Sequence, residues 1–163
     1  MRIKSITILY GILGLLAISS SLSHGQPLAI DGKFGISFLT GNGSSTGFLI
    51  GGGMDIPFQQ SLYFRPELNI TSHGGTPIEI GAKLKYLMPQ SNMNMNLYLV
   101  GGLGVWFYSG GSALGIDGGV GTLFPLSGSN LKIPAEIRLG PIFESSTSIF
   151  QIALTTGIRF DLQ

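Results

Sequence analysis

Residues 130–144 read NLKIPAEIRLGPIFE, and the odd positions from Leu131 to Phe143 are all apolar. Lys132, Glu136, Arg138 and Glu144 fall on the even ones. Such alternation describes an extended strand with two unlike faces, because successive side chains leave a strand on opposite sides. Which face turns inward decides the fold, and one strand cannot answer that. The rest of the chain can.

The chain has 163 residues, enough for one domain with a substantial interior. It contains no cysteine, so neither a disulfide framework nor a Cys-based metal site is available. Charged residues make up 10% of it, against roughly 25% in an average soluble domain. Mean hydropathy is +0.40 and 26 residues are glycine. Beyond residue 25, no apolar run approaches the roughly 18 residues that a membrane helix requires. The composition is that of a membrane protein, but the pattern is that of a β protein.

The first 25 residues form a separate unit. A basic MRIK start, the apolar SITILYGILGLLAI stretch and the small residues of SSSLSHG make a secretory signal peptide pattern, with cleavage expected after Ser23 or Gly25. The expected organisation is therefore 1–25 removed on export and 26–163 a single domain. Of nine basic residues, Arg2 and Lys4 lie in the leader, which leaves seven against eight acidic ones. A balance so close to neutral carries no basic patch for nucleic acid.

Turn-forming clusters punctuate the mature segment at 41–46, 59–60, 73–76, 90–92, 109–112, 127–130 and 145–147. Rich in Gly, Ser and Asn, they suit tight hairpins. They delimit eight segments, none with a helical period, which predicts eight strands in up-and-down order. Sorted by face, all fifteen charges fall on one side and all ten phenylalanines on the other. The apolar side carries about forty large side chains, whereas an eight-strand barrel encloses room for only a modest filling set. Volume therefore turns the charges inward and the apolar row outward, where only lipid tolerates it. Lipid also offers no partner to a free strand edge, so the sheet must close. The predicted fold is all-β: an eight-stranded antiparallel transmembrane β-barrel with a polar lumen and a lipid-facing apolar exterior.

With the chain termini placed on the periplasmic side, Phe38, Phe48, Phe107, Phe143 and Phe150 fall near the outer strand ends. Phe58, Phe64, Tyr86, Phe124 and Phe160 fall near the periplasmic ends, and only Phe34 sits between. Two aromatic belts around an aliphatic middle match the two interfaces of a bilayer.

The signal segment, the eight amphipathic strands and the charge-lined interior together resemble the small eight-stranded outer-membrane barrels, the group of the OmpA transmembrane domain and OmpX. The resemblance covers residues 26–163 and implies a bacterial outer-membrane location, contact with outer-membrane lipid and with the assembly machinery during insertion, and a monomer. The chain departs from that group in three ways. Asp161, Leu162 and Gln163 follow Phe160, where the group commonly ends on an aromatic. The seven connections are all short. Pro66, Pro134 and Pro141 lie within strands, which implies bulges or local unpairing there.

The candidate site is the lumen itself. Asp31, Lys33, Asp55, Arg65, Glu67, Glu79, Lys83, Lys85, Lys132, Glu136, Arg138, Arg159 and Asp161 are expected to form a structural ion-pair network, because buried charges persist only when paired. Neighbouring strands suggest Asp31 and Lys33 beside Arg159 and Asp161, and Arg65 and Glu67 beside Lys83 and Lys85. No catalytic group, cofactor or metal ligand set is expected. Ser72 and His73, with Glu79 nearest as an orienting acid, fall at a turn; adjacent strand residues point apart, so they read as polar turn residues rather than a lipid A-modifying site. The glycines of 51–53, 101–104 and 118–121 lack the strand-to-helix setting of a phosphate loop and read as space-saving lumen residues or bends. The expected role is structural, in membrane integrity. The alternatives are a narrow pore or a soluble periplasmic lipocalin-like carrier of an apolar ligand.

Replacing Leu99 or Ile152 by Arg should cost roughly 2–4 kcal/mol if that face meets lipid. Denaturant unfolding in detergent measures it, and an unchanged midpoint would place the face elsewhere.

Overall fold

In the computed structural model the described residues are 26–41, 44–89, 95–144 and 148–162. The leader expected over 1–25 lies outside them, as do the tips of the expected turns near 42, 90–92 and 145–147. Eight strands follow one another: β1 (Leu28–Thr40), β2 (Ser45–Gln59), β3 (Leu62–Thr71), β4 (Ile78–Leu87), β5 (Asn96–Tyr108), β6 (Gly111–Pro125), β7 (Leu131–Phe143) and β8 (Ser148–Leu162). Each pairs antiparallel with its sequence neighbours, and β1 meets β8 to close the barrel. That seam is paired from Leu28–Leu162 to Thr40–Phe150, so no edge is left.

The turns use the residues that the geometry demands. The two-residue β2–β3 turn places Ser61 at φ 66°, and the β6–β7 connection places Gly128 at φ 75°. Left-handed backbone is easy for glycine and costly for serine.

The faces divide as the alternation predicts. Asp31, Lys33, Arg65, Glu67, Lys83, Lys85, Arg138 and Arg159 are buried, while Phe48, Ile50, Ile80, Leu99, Leu103, Leu139 and Ile158 stand exposed on the outside. The lipocalin-like alternative fails here, since such a carrier needs an apolar cavity and this interior holds charge.

Two apolar clusters inside the barrel are absent from the face-by-face reading. Trp106, Ala113 and Ile142 pack together near the outer end, with Leu39, Tyr108 and Ile149 against them. Tyr98, Val100 and Leu123 do the same near the end that carries the termini, with Leu87 alongside. Both sit on the charged face of their strands, where a few apolar residues were masked by the ionic pattern around them. Each fills part of the lumen beside the charges, one toward either end.

Glycine makes room for the large inward rings. A Cβ at Gly121 would come within 2.3 Å of the Tyr98 ring, and one at Gly115 within 2.4 Å of Trp106. The aromatic rings lie over bare backbone, the arrangement that lets a strongly curved sheet keep a filled interior.

Pro66, Pro134 and Pro141 unpair the wall without shifting it. The β2–β3 register runs Gly53–Glu67 and then Ile56–Phe64, passing over Pro66. The β7–β8 register passes from Lys132–Arg159 to Ala135–Thr156, over Pro134. The β6–β7 register passes from Gly115–Ile142 to Gly118–Leu139, over Pro141. Each proline lacks the N–H that the ladder needs on that side, yet alignment resumes unchanged beyond it. Of the two expected outcomes, local unpairing is found at these prolines; the register shift in the wall lies instead between Pro57 and Gln59.

Gly121→Ala should lower unfolding stability by about 1–3 kcal/mol, because the Tyr98 ring must leave its seat. Gly32→Ala faces outward with nothing within 4 Å and should be neutral; urea titration of both variants compares them directly.

Candidate functional site

The structure places all thirteen expected lumen residues inside the barrel and joins them. Asp55 on β2, fully buried, receives Arg65 Nη1 at 3.2 Å and Lys85 Nζ at 2.7 Å, with Arg159 Nη1 on the same oxygen as Lys85. Arg65 spends its other nitrogens on Asp31 at 2.8 Å and Glu67 at 2.9 Å. One guanidinium therefore ties three carboxylates from three strands, which its planar fork of donors allows and an ammonium would not.

Glu67 is the second hub. It accepts from Arg65, from Lys33 and from Arg138 at 3.1 Å. Arg138 in turn holds Glu136 at 3.1 Å and stands 3.6 Å from Asp117. Asp117 accepts from Lys83, which also lies 3.3 Å from Glu79. Toward the termini, Arg159 Nε donates to Asp161 at 2.7 Å, and Lys132 reaches Asp161 at 2.7 Å. These links run unbroken from Lys132 to Glu79, with Asp31, Lys33, Lys85 and Glu136 as branches. The network contains seven acids (31, 55, 67, 79, 117, 136 and 161) and seven bases (33, 65, 83, 85, 132, 138 and 159), so it is neutral. The remaining charge, Glu144, meets the Tyr108 hydroxyl at the outer rim.

The particular partners differ from those expected of neighbouring strands. Register does set Asp31 opposite Arg159 and Arg65 opposite Lys83. Yet Asp31 pairs with Arg65, Lys33 with Glu67, Lys83 with Glu79 and Asp117, and Lys85 with Asp55. Arg65 and Lys83 carry like charge, so each turns away from its strand neighbour, and in so narrow a lumen a long side chain reaches carboxylates on other strands.

Asp117 and two neutral residues complete the site and were missing from the expected set. Tyr98 donates its hydroxyl to Glu136 at 2.9 Å, while Lys85 Nζ lies 4.1 Å from the centre of its ring. Asn69 donates its amide to Glu79 at 2.9 Å and to Glu67 at 3.3 Å. Their inward position was readable from alternation; their bonding was not, since it depends on depth across the lumen.

At the outer mouth, His73 leaves the β3–β4 connection and lies over Gly47, where a Cβ would stand 3.0 Å from its Nδ1. Its Nδ1 is 3.0 Å from Ser45 Oγ, and burial holds the imidazole below its usual pKa, so it is neutral at pH 7. Ser72 instead accepts the Phe48 N–H at 2.8 Å, and Glu79 is held by Lys83 and Asn69. The three residues Ser72, His73 and Glu79 thus serve separate partners. Among the described residues, no cluster of His, Asp and Glu has a metal-binding arrangement.

A closed antiparallel barrel with its charges sealed inside and its apolar side chains outside is a transmembrane β-barrel of the outer-membrane type. Among solved structures the chain is similar to Neisserial surface protein A, with a TM-score of 0.71 and 14% identity over 83% of this chain and 97% of that one. It is also similar to the N-terminal β-barrel domain of OprF from Pseudomonas aeruginosa, with a TM-score of 0.58 and 13% identity over 84% and 100% of the two chains. The outer membrane protein OprG from the same organism gives 0.57 and 12% identity over 85% and 96%. No protein-family model matches the sequence, and no curated protein matches it. At these identities the likeness is one of fold.

Asp55→Ala should destabilise the barrel by about 3–5 kcal/mol, since it leaves the buried Lys85 without a carboxylate and takes a partner from both Arg65 and Arg159. Replacing Lys83 and Asp117 together by Met and Leu should cost less, because the two charges leave together and Glu79 keeps the Asn69 amide. Unfolding midpoints in urea separate the two cases.

Proposed function

We propose that this chain is a monomeric structural protein of the bacterial outer membrane, exported by its N-terminal leader, with a lumen plugged by its own ion pairs and no enzymatic activity. The observation that carries this reading is the single neutral network of fourteen charges that fills the interior of the barrel. A conducting pore needs an aqueous thread and an excess of one charge sign, and neither is supported by carboxylates and cations already neutralised in place. The short connections between strands support the same reading, because adhesins and receptors present extended outer segments. Insertion would rely on the assembly machinery, with Phe160 as the last outward aromatic of β8.

Purified protein in planar bilayers should show no stepwise conductance at neutral pH. Replacing Glu67 and Arg138 together by Ala removes the central link and should produce steps if the barrel still folds, as read from its heat-modifiable gel migration. Steps from the unmodified protein would overturn the plugged-lumen reading in favour of the narrow pore.

A further inference from the structure

Phe34 breaks the outward aromatic pattern. It projects 59% exposed from the middle of β1, away from both belts, and three depressions of the outer wall meet at it. The largest is a groove of about 940 Å³. Its floor is a single row of paired backbone that crosses five strands: Gly35 faces Thr155, Thr155 faces Glu136, Glu136 faces Gly121 and Gly121 faces Tyr98. On one side the outward residues Ile36, Leu154, Ile137 and Val120 make a high aliphatic wall. On the other, Thr156, Ala135 and Thr122 are small, so the backbone lies open between them.

Five strands at about 4.8 Å spacing give the groove a length of roughly 19 Å. It starts at mid-height on β1 and ends at the first residues of β5, beside Met88 and Leu97, at the end that carries the termini. With strands tilted about 40°, the groove descends roughly 12 Å. That is most of one leaflet, whose hydrocarbon is about 15 Å deep. The groove is continuous with the lipid-facing band and no charged side chain projects into it. The Thr156 hydroxyl is already spent on the Pro134 carbonyl at 2.9 Å, so the surface left is apolar apart from Thr122 Oγ1.

We infer that this groove holds one acyl chain of a diacyl phospholipid from the leaflet on the terminus side, with Phe34 as the stop at its inner end. The inference rests on the outer-membrane reading above. The occupant follows from the site: the groove lies within the band whose surrounding medium is acyl chain, it spans the depth of one leaflet, and it has the charge-free lining that a hydrocarbon chain needs.

Native mass spectrometry of protein incubated with a diacyl phosphatidylethanolamine in detergent tests it. The unmodified chain should keep a favoured one-lipid state, and the variant carrying Ala135→Leu and Thr156→Leu, which fills the groove, should lose it while retaining heat-modifiable migration. Phe34→Ala, which removes the stop without adding bulk, should weaken the same adduct and serves if the double variant does not fold. Adducts without a favoured stoichiometry, or a one-lipid state untouched by these variants, would overturn the inference. So would a dimer that the double variant dissolves, because it would assign the groove to a second copy. A chain that stays soluble without detergent and shows no heat-modifiable shift would instead remove the membrane reading beneath it.

Discussion

Everything in this barrel depends on charges that have been taken out of water and must be answered inside it. Removing an ionised side chain from water is expensive, and mutual attraction offsets that cost only with good geometry and few idle partners. Here seven acids and seven bases meet that condition through two hubs: Asp55 and Glu67 each collect three cations, with Arg65 shared between them. Because the network draws on every strand but β5, which joins it through the Tyr98 hydroxyl on Glu136, it acts on register as well as on stability. A slip of one residue would carry a strand's charges to the lipid side and its leucines into the lumen. The ionic interior and the apolar exterior are thus one constraint expressed on two faces.

Nearly all of the architecture could be read from the chain. Eight strands, their order, the inward charges and the weak pairing of β7 follow from alternation, turn chemistry and the volume of an eight-strand lumen. The leverage came from segregation: fifteen charges on one face leave no second way to fold Leu131–Phe143. What alternation cannot supply is distance across the lumen. It gives each residue a face and a neighbour, and so pointed Asp31 toward Arg159, when the carboxylates that Arg159 meets are Asp55 and Asp161. Tyr98 and Asn69 escaped for the same reason, being neutral residues whose part lies in whom they reach. Val100, Leu123 and Ile142 escaped for another: an apolar residue on the inward face reads as an exception in a strand, but as part of a packed cluster once the strands curl together.

The glycines show how the interior is filled without crowding. Most lumen positions that lack a side chain lie beside one that has a large one, as with Gly121 and Tyr98 or Gly115 and Trp106. Exchange of volume between neighbouring strands, rather than small residues throughout, lets two rings and a mesh of long cations share the space. Seen this way, the glycine-rich runs 101–104 and 118–121 are the complement of the aromatic residues, and neither set can be changed alone.

The prolines give the wall a mechanical character. At Pro66, Pro134 and Pro141 the ladder opens for a residue or two and then resumes in the same alignment. A hoop with such soft spots can flatten under lateral pressure, since a few backbone bonds are missing where bending would otherwise strain them. It resists shear, because the interior ions tie seven of the eight strands together across the lumen and Tyr98 ties β5 to Glu136. The barrel therefore combines compliance around its circumference with rigidity along its axis, and it yields to a crowded bilayer by changing its cross-section rather than by sliding one strand past another.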